Sequence, residues 1–186
     1  RDDEAFHEVL RQCQDFHPAI KRFSEMLLGA GAKTRASMLV KQFDSYEQYV
    51  RIQTRVNKRK LKCVWADKEG VAAVSKYVQS NLPNASFGIC HGVRNGWEVR
   101  AFREALNIDV IGTEISPTAN RFQDVIQWDF HEVKEEWIGN VDFIYSNSLD
   151  HSYDPEGCID AWGKCLTEDG ICVLHWSPGH STAVRG

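Results

Sequence analysis

Four positions carry the strongest chemical signal in this chain: Gly92 and Gly96 in HGVRNGWEV, Glu114 at the end of DVIGTE, and Asp129 in QWDFH. An apolar run (Phe87, Ile89, Cys90) leads into the glycine loop. An amphipathic stretch follows, and a second apolar run (Ile108, Val110, Ile111) ends on Glu114. The order is strand, glycine turn, helix, strand, acid. Open α/β sheets hold adenosine-type ligands this way: bare backbone approaches the ligand, and the acid accepts from two ribose hydroxyls. Glu114 lies 22 positions after Gly92, near the roughly 20-residue offset of such ribose-binding acids.

The loop departs from the dinucleotide pattern GxGxxG, because Gly88, Gly92 and Gly96 are spaced four apart. A wide loop carrying His91, Arg94 and Asn95 suits a ligand without a pyrophosphate, and S-adenosylmethionine is one. Its carboxylate can pair with Arg94 or with the first amides of the following helix. Glu98 either pairs with Arg94 four positions earlier or meets the ligand's amino group. His151 and Asp150 follow a fourth apolar run and are the candidates for a general base; the alternative is that they shape the loop and cap the next helix. His131 reads as structural. The tryptophans read as packing, with Trp128, beside Asp129, the exception.

These residues need a scaffold. Strands are predicted at about 86–91, 108–114, 124–128, 141–146 and 170–176. Helices are predicted at about 96–106 and 155–166, with short elements at 117–122 and 132–138. The strands are short continuous apolar runs, as expected when helices cover both faces, and the alternation implies a parallel, doubly wound sheet. The first 82 residues read as a helical N-terminal extension, and residues 83–186 as the ligand-binding domain. In the extension, Phe6, Val9, Leu10, Cys13 and Phe16 fall at helical spacing, and Ile20, Phe23, Met26 and Leu27 continue after Pro18. Residues 29–37 read as a loop. Tyr46, Tyr49, Val50 and Val56 mark a further helix, and one more spans Lys68 to Gln79.

The chain has 186 residues, 42% apolar and 26% charged, ordinary values for a globular domain. No apolar run approaches the roughly 18 to 20 residues that span a bilayer, so no membrane association is expected. The six cysteines form no CxxC pair, so zinc is not expected, and a reducing, cytoplasmic setting is. The opening RDDEAFHE does not have the chemistry of a signal peptide. Residues 1–62 carry 13 Lys+Arg and 8 Asp+Glu, whereas residues 63–186 carry 9 and 18. The acidic sheet region argues against general nucleic-acid binding. The basic stretch Arg55 to Lys62 leaves such binding open, and a solvated helix face is its plainer reading. The chain stops about ten residues after the fifth strand, leaving an exposed edge. That edge predicts a partner, a homodimer among the options, or a natural chain that continues past Gly186; the second is favoured.

GICHGVRNGWEVRAF resembles the first motif of class I S-adenosylmethionine-dependent methyltransferases, in a type 11-like branch whose loop reads roughly LGARxGxEVxAF. VIGTEISP is similar to that family's second strand and acid, VIQWDFH to its third-strand motif, FIYSNSLDHSYD to its fourth, and LTEDGICVLHW to its turn and fifth strand. The likeness covers residues 86 to 176, in the right order. It implies an α/β, doubly wound, mostly parallel Rossmann-like sheet and S-adenosyl-L-methionine as cofactor. It implies that Gly92, Val93, Arg94 and Gly96 line the methionine end, and that Glu114 holds the ribose. Ile115 would flank the adenine, Asp129 accept from its amino group, and the Phe130 amide meet a ring nitrogen. Ser146 and Asn147 would sit near the sulfonium and the acceptor. His91 and the turn Glu168, Asp169, Gly170 depart from the family's usual residues.

Three functions follow as expectations. The first is methyl transfer to a small-molecule acceptor, with a sugar or other metabolite preferred, under a helical lid. The second is a nicotinamide-dependent reductase, disfavoured by the missing GxGxxG and Tyr-x-x-x-Lys. The third is a methyltransferase-like scaffold that binds without turnover.

Overall fold

The computed structural model describes residues 42–175. The two helices expected before residue 28, the loop at 29–37 and Trp176 lie outside the described residues. Among the described residues, five strands run in chain order: β1 (Phe87–His91), β2 (Asp109–Glu114), β3 (Val125–Gln127), β4 (Val141–Ser146) and β5 (Leu166–Leu174). They form one sheet in the order β3-β2-β1-β4-β5. Every pairing is parallel, with Phe87 opposite Asp109, Gly88 opposite Phe143, Gly112 opposite Val125 and Ile144 opposite Cys172. The doubly wound α/β sheet read from the sequence is therefore the fold. Strand order reverses between β1 and β4, and ligands of such sheets bind at the carboxyl ends beside that reversal.

Among the described residues, four α-helices accompany the strands: α1 (Tyr46–Arg59), α2 (Lys68–Asn81), α3 (Trp97–Leu106) and α4 (Pro155–Cys165). The short elements predicted at 117–122 and 132–138 are 3₁₀ turns, Pro117–Arg121 and Glu135–Trp137. Three of the four described α-helices, α1, α2 and α4, begin at a residue whose side chain accepts from a first-turn amide. Ser45 accepts from the Gln48 N–H, and Asp154 accepts from Gly157 ahead of Pro155. Lys58 and Arg59 occupy the last turn of α1, where cations complement the helix dipole.

The sheet is covered on both faces. One core joins Val71 and Val78 of α2 with Val99, Phe102, Cys90, Val110 and Tyr145. The other joins Ile89, Val141 and Ile144 with Trp137 and with Cys158, Trp162 and Cys165 of α4. α2, which the sequence reading groups with the N-terminal extension, packs on α3 in the sheet's own core. The fifth strand begins at Leu166, four residues earlier than its predicted start. Leu166 pairs with Val141, but the next pairing is Ile171 with Phe143. Residues 167–170 thus swing out of the ladder, which explains why that stretch reads as a turn.

Candidate functional site

The carboxyl end of β1 turns sharply over β2. The Gly92 and Val93 amides both donate to the Thr113 carbonyl, at 2.9 and 3.2 Å. Gly92 has φ 73°, and a Cβ there would lie 2.6 Å from the Ser148 side chain, so only glycine fits. Arg94 also has positive φ, 49°, which points its amide at Glu114. Glu114 Oε2 accepts from Arg94 N–H at 3.1 Å, and Oε1 accepts from Ser116 N–H at 3.0 Å. The carboxylate is 7% exposed. Burial raises its pKa, and the Ser116 and Arg94 amides and the Asn57 side chain pull the other way.

Asp129 follows β3 and is buried to the same degree. His131 donates from its backbone at 3.0 Å and places Nδ1 2.6 Å from the same oxygen, Oδ1. His131 Nε2 lies 2.7 Å from Ser152 Oγ, and its ring stacks on Tyr153 at 4.0 Å. Burial pushes the Asp129 carboxyl up, but the bonds from His131 and Tyr46 outweigh it and hold the group below its ordinary value. His131 is thus the structural residue it reads as, fixing Asp129.

A cavity of about 50 Å³ lies between these groups. Gly92, Arg94, Glu114, Ile115, Asp129, Phe130, Ser148 and His151 form its floor and sides. Its roof is α1, through Tyr49, Gln53, Val56 and Asn57. The Tyr46 hydroxyl donates to Asp129 Oδ2 at 2.9 Å, and the Thr118 hydroxyl donates to Asn57 Oδ1 at 2.7 Å. Beyond the helix, Asn95 Nδ2 donates to the Leu61 carbonyl at 2.9 Å. The five cations from Arg55 to Lys62 are all exposed, and none of them lines the cavity. A second cavity, about 310 Å³, is walled by Phe43, Tyr46, Tyr49 and Tyr153, with Gln42 and Ser45.

Several sequence-predicted site residues do not face the cleft. The Val93 side chain is 3% exposed and packs in the core, filling the space beside Gly112. Gly96 is the N-cap of α3, pressed against Val125. The Ser146 hydroxyl donates to the His91 carbonyl and accepts from Ser148 N–H, both at 3.1 Å, stitching β4 to β1. Trp128 packs on Trp137 at 5.8 Å and under Lys134, outside the cavity lining. Asn147 Nδ2 donates to Glu98 Oε1 at 3.4 Å. His151 lines the cavity, with Nε2 3.8 Å from Asp150 Oδ2. His91 is buried against Trp162, ring centroids 4.7 Å apart. Burial, then His131, lowers its pKa to about 3, so the ring is neutral. Tyr49, Gln53, Asn57 and Ser148, which line the cleft, and Tyr46, which bonds to Asp129 from the second cavity, are residues that sequence reasoning missed. The only local signal for the four on α1 was its inward helical stripe.

Among the described residues, no group of three or more His, Cys, Asp and Glu could hold a metal ion. No described helix is long and apolar enough to cross a membrane.

No protein-family model matches the chain, and no curated protein matches it. Solved structures do. The sugar N-methyltransferase KedS8 from Streptoalloteichus sp. ATCC 53650 aligns with a TM-score of 0.51 and 20% identity, over 80% of this chain and 62% of its own. DesVI of Streptomyces venezuelae aligns with a TM-score of 0.47 and 15% identity, over 74% of this chain and 61% of its own. The chain thus spans less than two thirds of either neighbour. What the likeness to KedS8 shows is architecture: over the aligned part, this chain has the α/β fold of a known methyltransferase.

Proposed function

We propose that this chain is the cofactor-binding part of an S-adenosyl-L-methionine-dependent methyltransferase acting on a small-molecule acceptor, with a sugar preferred. One observation carries the reading. The glycine turn after β1, Glu114 after β2, Asp129 and Phe130 after β3, and Ser148 and His151 after β4 all converge on one cavity. The floor fits the ligand: Gly92 presents backbone without a Cβ, and the two buried carboxylates accept hydrogen bonds. The roof does not fit as it stands, since about 50 Å³ is far below the roughly 300 Å³ of small-molecule pockets. Binding therefore requires α1 to move outward, as the lid expected from the sequence would.

In this reading Glu114 accepts from the ribose hydroxyls. Asp129, oriented by His131, accepts from the adenine amino group, and Ile115 flanks the ring. Arg94 meets the carboxylate of the methionine end. The bound cofactor supplies an electrophilic methyl on a sulfonium, and the chain's own task is to align an acceptor lone pair behind it. His151, beside Asp150, is the group placed to take a proton where the acceptor must lose one. A sugar acceptor is preferred because KedS8 is a sugar N-methyltransferase and the sheet region is acidic.

The closed roof favours one rival, a scaffold that binds no cofactor. Calorimetry with S-adenosylmethionine, S-adenosylhomocysteine and NADH decides between them. Micromolar binding of the first two and none of the third is expected. Failure of both adenosyl ligands with folded protein would remove the proposal, and binding of NADH alone would favour the reductase.

A further inference from the structure

The larger cavity, about 310 Å³, has no part in the reading above, although its volume is that of a small-molecule pocket. Tyr46 and Tyr49 of α1, Phe43 just before it and Tyr153 ahead of α4 form aromatic walls, and Gln42 and Ser45 complete the lining. Neighbouring rings stand nearly perpendicular. Phe43 meets Tyr49 at 71°, Tyr49 meets Tyr153 at 77° and Tyr153 meets Tyr46 at 82°, with centroids 5.1, 4.8 and 6.3 Å apart. Rings at such angles make a box rather than a flat stacking platform.

The lining is uncharged, but carboxylates stand behind it. Asp129 Oδ2 accepts from the Tyr46 hydroxyl at 2.9 Å. Burial raises the Tyr153 phenol above its ordinary pKa, and Asp129, Asp154 and Glu132 raise it further. Burial, then Asp129 and Glu132, does the same for Tyr46. Ring faces carry the negative part of the aromatic quadrupole, so rings and carboxylates favour the same sign of guest. His131, which stacks on Tyr153, has both ring nitrogens engaged, with Asp129 and Ser152. Among the described residues, lysine ammoniums lie over Trp65, Trp128 and Trp137, and none lies over these four rings.

An anion is repelled by such surroundings, and a neutral apolar guest gains nothing from the carboxylates. A metal ion needs several oxygen ligands, and the lining offers few. An ammonium whose charge is spread over alkyl groups needs no such ligands, and ring faces hold it. We infer that this aromatic box binds a small N-alkylated ammonium ion. The site stands apart from the cofactor reading, since Tyr49 alone lines both cavities.

Choline and its neutral isostere 3,3-dimethylbutan-1-ol, in which carbon replaces the nitrogen, test this by ligand-observed NMR titration. Wild type is expected to bind choline in the millimolar range, at least about fivefold more tightly than the isostere. Tyr153→Phe keeps the ring and should hold choline within about twofold, whereas Tyr153→Leu and Phe43→Leu each remove a ring face and should weaken it at least about fivefold. The wild-type comparison needs no variant to fold. Equal binding of choline and the isostere would make the cavity a plain apolar slot and overturn the inference, as would no binding of choline. A loss on Tyr153→Phe as large as that on Tyr153→Leu would trace binding to the hydroxyl and overturn it too. No arm uses an adenosyl ligand, so failure of the methyltransferase reading is told apart from failure here.

Discussion

Removing the Tyr46 hydroxyl should make the cleft easier to enter. The hydroxyl donates to Asp129 at 2.9 Å, on the carboxylate assigned to the adenine amino group, so the roof and the ligand compete for one acceptor. A net hydrogen bond contributes about 0.5–1.5 kcal/mol, and bonds to charged groups more. Tyr46 is 48% exposed, so water replaces part of the bond, and about 1 kcal/mol is the working figure. When a ligand binds only the open form, its apparent affinity scales with the fraction of protein that is open. Losing about 1 kcal/mol from the closed form raises that fraction about fivefold, since about 1.4 kcal/mol is a factor of ten. Tyr46→Phe is therefore expected to tighten S-adenosylhomocysteine about fivefold by calorimetry, with faster hydrogen exchange in residues 46–59 of the free protein. Unchanged or weaker affinity, with exchange unaltered, would refute the idea that this contact holds the cleft closed.

Three more outcomes follow from the site. Glu114→Ala is expected to weaken S-adenosylhomocysteine at least about tenfold through lost charge-assisted bonds, whereas Glu114→Gln, which can still accept from one amide, should lower Tm less; calorimetry and thermal melts separate the two effects. Gly92→Ala forces a side chain into a left-handed backbone and against Ser148, so a loss of about 2 kcal/mol and a Tm fall of about 4–8 °C are expected in a melt. The folded-state pKa of Glu98 is raised, so its ionisation makes the fold less stable as pH rises from its ordinary value near 4.5 through the raised one. Glu98→Gln should thus gain Tm over wild type at pH 7 to 8, with the gain shrinking below pH 4.5; a gap independent of pH would count against the assignment.

The sequence signals were strongest where the chemistry is local. The bounds of β1, β2 and β4 were legible because each is an apolar run stopped by a polar or glycine residue. The meeting of Gly92 and Glu114 was legible because parallel neighbours in register put both at the same sheet end. Val93 reads as loop because it lies two residues past a strand's last ladder position, although its side chain packs in the core beside Gly112. The roof was not legible at all. Tyr46 meets Asp129 across 83 positions and Asn57 meets Thr118 across 61, and helical periodicity says that a face is buried without saying against what. Residues 167–170 read as a turn, but they lie within β5 as an irregularity in its pairing, and the turn reading concealed Leu166, whose pairing depends on β4.

The cysteines offer a handle on the roof. Cys90, Cys158 and Cys165 are buried and Cys172 half-buried, and burial pushes the Cys165 thiol up to about 11 and that of Cys172 to about 12. Thiolates are the reactive form, so these four resist alkylation in the folded chain. Cys63 is exposed, and its carbonyl accepts from Arg94 Nη1 at 3.4 Å, at the joint between α1 and the glycine turn. With Cys13 replaced by serine, a maleimide dye therefore marks that joint, and its emission becomes an optical gauge of the hinge with no engineered thiol.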